Sequence, residues 1–324
     1  MSYGHLTVSE REILSQMHFA GSPQKEIAKA LGRSPGTISR ELKRNRSGDG
    51  YFAIAAEACA TTRRSDRPLK RRLDDHDLKL WVASRLMKFW SPEQIAGRLK
   101  REAASMELAT VSRQSIYDWL EGDSDEVIRL RRTLRHGRYK PRHQGPKSSP
   151  IPDRTPLSER PVEASTKERI GDWEGDTVVG AKHLGAIATL VERKTGYLVA
   201  GKMPDGTASS LNRAVKRVFG HIPRSLRRTM TFDNGVEFAK HKSLARSLGI
   251  SIYFARPYHS NARAINENTN GLLRQYFPKG TMFMEISHRD VANAVIDLNN
   301  RPRKRLDYLT PEELFSAAAI APQT

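Results

Sequence analysis

Apolar residues recur three and four positions apart through roughly the first 130 residues, then fall into short runs and alternations after about residue 161. This predicts a helical half followed by a mixed one. The first helix is expected to open at Thr7-Val8-Ser9-Glu10, a capping-box signature. Its apolar face reads Ile13, Leu14, Met17 and Phe19, and Gly21 ends it. Pro23 to Leu31 predicts a second helix burying Ile27, Ala28 and Leu31. Gly32 and Arg33 turn the chain, and Ser34 caps a third helix with Pro35 at its first position. Ile38 and Leu42 face inward from it, leaving Thr37, Arg40, Lys43 and Arg44 outward. This is helix-turn-helix patterning, whose second helix enters the major groove. Arg33, Ser34, Thr37, Arg40, Lys43 and Arg44 are the candidate DNA contacts there.

Residues 74–121 predict a second helical unit, readable as another helix-turn-helix or as a packing domain. Ser91-Pro92-Glu93-Gln94 caps one helix ahead of Ile95, Ala96 and Leu99. Ser112 opens another, with Ile116, Trp119 and Leu120 apolar and Arg113 and Gln114 outward as further DNA-binding candidates. Residues 129–161 are rich in Arg, Pro and Ser and lack periodicity, which reads as a linker whose cations, Arg135 among them, could follow DNA.

Beyond the linker, Asp172–Val179, Ile187–Glu192 and Tyr197–Met203 read as strands, the last two joined by a turn at Lys194-Thr195-Gly196. Alternating elements follow: a helix through Leu211 and Val215, a strand at Arg228–Phe232, a helix at Val236–Leu248, a strand at Ile250–Ala255 and helices from Ala262 and Asp290. The expectation is an α/β fold: one mixed sheet with flanking helices, preceded by all-α domains. The divisions fall at 1–60 (helix-turn-helix), 61–128 (second helical domain), 129–160 (linker) and 161–324 (α/β domain).

The formal charge of +19 changes the picture. Residues 1–160 hold 31 Lys and Arg against 20 Asp and Glu, and the rest 24 against 16, so the excess is no basic tail. A polyanion is the implied partner, since neutralising phosphates releases counterions. One cysteine, Cys59, excludes an internal disulfide and a Cys-pair zinc site, and reads as a small buried helix residue. No signal pattern or membrane-length apolar run is present, so a cytoplasmic protein without membrane contact is expected. Gly196-Tyr197-Leu198-Val199-Ala200-Gly201-Lys202 begins like a phosphate-binding loop, but ends in Met203 and lies in a strand. His183, His221, His241, His259 and His288 lack metal-ligand spacing.

Candidate chemistry lies in three acids. Asp176 falls on the first strand, Asp233 at the end of a later one, and Glu267 on a helix. Carboxylates from separate elements can hold two Mg²⁺ (or Mn²⁺) ions for phosphodiester cleavage. Arg263 and Arg274 share the helical face of Glu267 and could grip phosphates. Singly, each acid has another reading. Asp172, Glu174 and Asp176 alternate on one strand face, Asp233 before Asn234-Gly235 suits a turn, and Glu267 suits a solvated helix.

The chain resembles the DDE-type insertion-sequence transposases of the family numbered thirty, over about residues 5–316. The resemblance is carried by Gly32-Arg33-Ser34-Pro35 with Thr37-Ile38-Ser39-Arg40-Glu41-Leu42, Trp90-Ser91-Pro92-Glu93-Gln94-Ile95-Ala96-Gly97, Trp173-Glu174-Gly175-Asp176, Thr231-Phe232-Asp233-Asn234-Gly235, Asn266-Glu267-Asn268-Thr269-Asn270-Gly271 and Asn299-Asn300-Arg301-Pro302-Arg303-Lys304. It implies an RNase H-like catalytic domain, with Asp176, Asp233 and Glu267 as catalytic, metal-holding triad. It also implies N-terminal recognition of terminal inverted repeats in double-stranded DNA, and strand transfer into target DNA. Joining two ends implies a homo-oligomer on DNA. The alternative is a DNA-binding regulator with an inert integrase-like domain. One departure stands out: where the family commonly has a Pro-Trp-Gln-Arg-Gly loop, this chain reads His259-Ser260-Asn261-Ala262-Arg263-Ala264-Ile265.

Overall fold

The computed structural model describes residues 5–46, 50–65, 72–135, 151–255 and 264–320. The chain divides into two compact units, Met1–Arg71 and Arg72–Thr324. The first holds α1 (Val8–Phe19), α2 (Gln24–Ala30), α3 (Pro35–Asn45) and α4 (Ala53–Ser65). The capping box forms: Glu10 N–H donates to Thr7 Oγ1 at 3.2 Å, and Thr7 N–H to Glu10 Oε2 at 2.7 Å. Leu6, Leu14, Ile27, Ala28, Ile38, Leu42, Tyr51 and Ala56 make the core.

Two expectations fail here. Ile13 and Phe19 are 43% and 84% exposed rather than core residues. Arg11 takes the inward position beside Leu14, where Glu41 (2.7 Å), Glu57 and the Leu6 carbonyl satisfy its guanidinium. Cys59 is exposed, because α4 turns Ala53 and Ala56 inward and leaves Cys59 on the solvent side.

The second unit begins with α5 (His76–Met87), α6 (Pro92–Met106), α7 (Arg113–Leu120) and α8 (Asp125–Arg131), packed around Leu78, Val82, Leu86, Ile95, Leu99 and Ile116. The segment read as linker is structured at both described ends. Residues 125–131 are helical, and Phe254 N–H donates to the Thr155 carbonyl at 2.9 Å, laying residues 155–156 along a sheet edge. A short α9 (Val162–Thr166) leads into the sheet.

The sheet has five strands: β1 (Asp172–Val179), β2 (Ala186–Glu192), β3 (Leu198–Met203), β4 (Thr229–Phe232) and β5 (Ser251–Phe254), in the order β3-β2-β1-β4-β5. β1, β2 and β3 pair antiparallel, whereas β4 and β5 continue parallel to β1. Between and after them come α10 (Ala208–Phe219), α11 (His241–Leu248), α12 (Ala264–Tyr276), α13 (His288–Asn299) and α14 (Pro311–Ile320). Each face of the sheet has its own core. Trp173, Leu190, Val215, Phe219, Met230 and Phe232 pack on one side. Val178, Ile187, Val191, Leu272, Leu273 and Leu298 pack on the other. The helix expected over Val236–Leu248 is broken: a short 3-10 turn at Val236–Phe238 lets Phe238 stack on Phe232 at 4.2 Å, and α11 starts only at His241.

Candidate active site and DNA-binding surface

Burial separates the three acids that alternate along β1. Asp172 is fully buried, paired with Arg169 at 2.9 Å and accepting from the Thr229 hydroxyl at 2.6 Å. Glu174 is buried beside the Arg193 guanidinium at 3.5 Å, and burial pushes its carboxyl above the usual range. Asp176 is half-buried and opens toward solvent. One Asp176 oxygen accepts from the Thr177 N–H at 2.9 Å, the other from the Asn270 side chain at 3.0 Å.

Asp233 is the first residue beyond β4. The parallel register pairs Asp172 with Thr229 and Glu174 with Thr231. The same offset, continued two residues, sets Asp233 level with Asp176. On the opposite face, Gly175 leaves room for the Phe232 ring: a Cβ there would stand 2.1 Å from it. Asp233 also forms the Asx turn that its sequence allows, accepting from Gly235 N–H at 3.0 Å.

Glu267 lies in the first turn of α12, and its neighbour Asn266 ties that turn to the sheet. Asn266 is fully buried. Its N–H donates to Glu174 Oε2 at 3.1 Å, its Nδ2 to the Glu174 carbonyl at 3.0 Å, and its Oδ1 accepts from the Thr189 hydroxyl at 3.1 Å. Thr189 is the direct β2 partner of Asp176. Asn270, four residues on and so on the same helical face, completes the tie to Asp176. Both asparagines stand in the Asn266–Gly271 stretch that carries the family resemblance, but the sequence alone gives neither a role. The Glu267 side chain is exposed. Among the described residues, no three acidic, histidine or cysteine side chains converge to hold one ion. The β1–β4 register thus directs Asp233, just past β4, toward Asp176, and Asn266 and Asn270 tie the first turns of the helix of Glu267 to β1 and β2 beside Asp176. The donor chemistry of carboxylate oxygens suits a hard divalent ion.

Of the arginines assigned to this site, Arg263 lies outside the described residues, as does most of the departing loop. Arg274 is turned away: it donates to the Val179 carbonyl at 2.8 Å and lies 5.5 Å from the Phe283 ring centroid. Burial lowers its pKa.

In the N-terminal unit, α3 carries exposed Arg40, Lys43 and Arg44 on the face one would aim at DNA. Ser34 is the helix cap, accepting from Thr37 N–H at 3.2 Å, and the Thr37 hydroxyl lies 2.9 Å from Ser34 Oγ. Arg33 is occupied at 2.8 Å by Glu10, whose carboxyl it draws down to about 2. In the second unit, Arg113 is exposed and only loosely paired with Glu93 at 3.5 Å, while Gln114 donates to Asp118 at 2.7 Å.

A mixed sheet with helices on both faces, one acid on β1 with another just past the neighbouring β4, and a helix-turn-helix upstream define a DNA-acting enzyme with an RNase H-like integrase core. Family comparison agrees. A helix-turn-helix domain matches residues 2–45, and an integrase core domain matches residues 167–260. The transposase InsI of insertion sequence element IS30A from Escherichia coli (strain K12) is 39% identical over 96% of this chain and 83% of its own. The transposase of insertion sequence element IS4351 from Bacteroides fragilis is 39% identical over 96% and 95%. That of IS1086 from Cupriavidus metallidurans is 36% identical over 92% and 90%. The chain belongs to the IS30 family of transposases and is a DDE-type enzyme. Integrase cores of transposases generally use divalent metal ions, and the helix-turn-helix makes DNA the partner. Among the described residues, no helix is long and apolar enough to cross a membrane.

Proposed function

We propose that α2 and α3 bind the terminal inverted repeats of an insertion element, and that Asp176, Asp233 and Glu267 form the acidic triad that cuts and joins its ends. What supports this reading is the parallel β1–β4 register, which ends at Glu174 and Thr231 and points Asp233, just past β4, toward Asp176, while Asn266 and Asn270 tie the helix of Glu267 to the same part of β1. The three carboxylates would hold two Mg²⁺ or Mn²⁺ ions, which polarise the phosphoryl group and ease deprotonation of an attacking water. Asn270 orients the Asp176 carboxylate, and the turn at Gly235 orients that of Asp233. Water attacks phosphorus at the element end and the bond to the 3′ oxygen breaks, releasing a 3′-hydroxyl. That hydroxyl then attacks a target phosphodiester and displaces a second 3′ oxygen. Pairing two ends calls for at least two copies of the chain on DNA.

The test is a labelled duplex copied from the DNA flanking this reading frame, incubated with Mg²⁺. The wild type should nick it, and Asp233→Asn should bind equally well but nick about 10³-fold more slowly, a loss of ~4 kcal/mol. Wild-type nicking by that variant would refute the triad. Tight binding without nicking by the wild type would make this chain a regulator with an inert core.

A further inference from the structure

Two arginines from the linker region reach the neighbourhood of the proposed acids, one on each side. Arg135 closes the described stretch after α8 and is exposed. Its guanidinium lies against α12 at Gly271, where an added Cβ would stand 2.8 Å from Nη2. Gly271 is four residues from Glu267, so the two share a helical face about one turn apart. Arg135 makes no hydrogen bond or ion pair with any described residue.

Arg154 lies near the start of the next described stretch, 19 residues further on, and is also exposed. It donates from Nη1 to the side-chain oxygen of Asn234, the residue after Asp233. Asn234 is itself fixed, since its Nδ2 donates to the Ala255 carbonyl at 2.9 Å. Four of the five guanidinium N–H donors of Arg154 remain available for another acceptor.

Resting on the triad assignment above, we propose that Arg135 and Arg154 form a two-sided phosphate clamp for the DNA strand entering the active site. Arg135 grips on the Glu267 side and Arg154 on the Asp233 side. The acids repel a polyanion, and a guanidinium on each flank offsets this with planar donors suited to phosphate oxygens. The clamp supplies the grip expected of Arg263 and Arg274, one of which is spent on Val179 and Phe283. It also gives Gly271 a reason to lack a side chain: the guanidinium occupies that space.

The variants Arg135→Ala, Arg154→Ala and the double variant test this. Both side chains are exposed, so thermal melting should not change. Binding to a plain duplex is measured against salt in an Asp233→Asn background, where nicking plays no part. Each lost phosphate contact should flatten the slope of log K against log salt by about 1, and the double variant by about 2. In the otherwise wild-type protein, nicking by the double variant should fall roughly 10- to 100-fold, with partial rescue by Lys at both positions. An unchanged salt slope in the double variant overturns the clamp even if Asp233→Asn is inactive. Should Asp233→Asn nick normally while the slope flattens, the triad is wrong and the clamp survives as a DNA contact.

Discussion

Helices α3 and α6 open alike and end up in different service. Ser34-Pro35 and Ser91-Pro92 each supply a cap and a first-position proline. Ile38 and Leu42 in one, Ile95 and Leu99 in the other, are buried at the same spacing. Only the outward faces differ. On α3, Arg40, Lys43 and Arg44 are exposed. On α6, the matching face lies against the segment after α13. Gln94 donates to the Pro302 carbonyl at 2.9 Å and accepts from Arg301 at 2.9 Å. Arg98 forks onto Glu313 at 2.8 and 2.5 Å, Arg101 pairs with Asp307, and Gly97 abuts the Tyr308 ring. Arg301 continues inward to Gln275 of α12 at 2.7 Å. One amphipathic recipe thus yields a helix free to meet DNA and a helix built into the catalytic body.

The glycine of α6 offers the hardest break in this comparison. A Cβ at Gly97 would stand 2.2 Å from the Tyr308 ring, so Gly97→Ala should destabilise the second unit by about 2–3 kcal/mol through overpacking. Calorimetry should show a lower melting temperature there. Gly36 of α3 has nothing nearer than 4.0 Å, and Gly36→Ala should leave melting unchanged or raise it. Equal effects at the two sites would erase the distinction.

Arg40→Ala probes the DNA side. It should leave melting unchanged and weaken binding to element ends by about 1–2 kcal/mol in a gel-shift titration. Normal binding would mean that α3 is no reading helix.

Acid gives the smallest effect. Arg98 holds the Glu313 carboxyl down to about 2, as Arg33 does for Glu10. Both folded values lie below the unfolded one, so each pair stabilises fully above about pH 5 and loses its contribution as pH falls toward 2. With solvent screening discounted, the half-buried Arg98–Glu313 pair should be worth about 1 kcal/mol, and the more exposed Arg33–Glu10 pair less. Between pH 7 and pH 3, Glu313→Gln should lose less stability than the wild type, in the second unit alone. Glu10→Gln should do the same in the first.

Much of this was legible beforehand. The caps at Thr7, Ser34, Ser91 and Ser112 are local events, and each forms as its spelling implies. Strand β1 runs over the predicted residues because alternation is a local signal. The inward turn of Arg11 was hidden, since nothing nearby in the sequence marks Glu41 and Glu57 as its partners. Arg274 looked like a phosphate grip because it shares a helical face with Glu267, yet its carbonyl partner sits 95 residues away on β1.

By itself, the order of residues determined where the capped helices and strand β1 begin, that both halves are basic and which acids were eligible for chemistry, because caps, periodicity and charge act over a few residues. Only the folded chain decided that Asp176, rather than Asp172 or Glu174, opens to solvent. It also decided that Asp233 draws level with Asp176, that Asn266 and Asn270 anchor the helix of Glu267, and that α6 docks inward. Those outcomes depend on strand register and on partners many tens of residues apart, which no local pattern records.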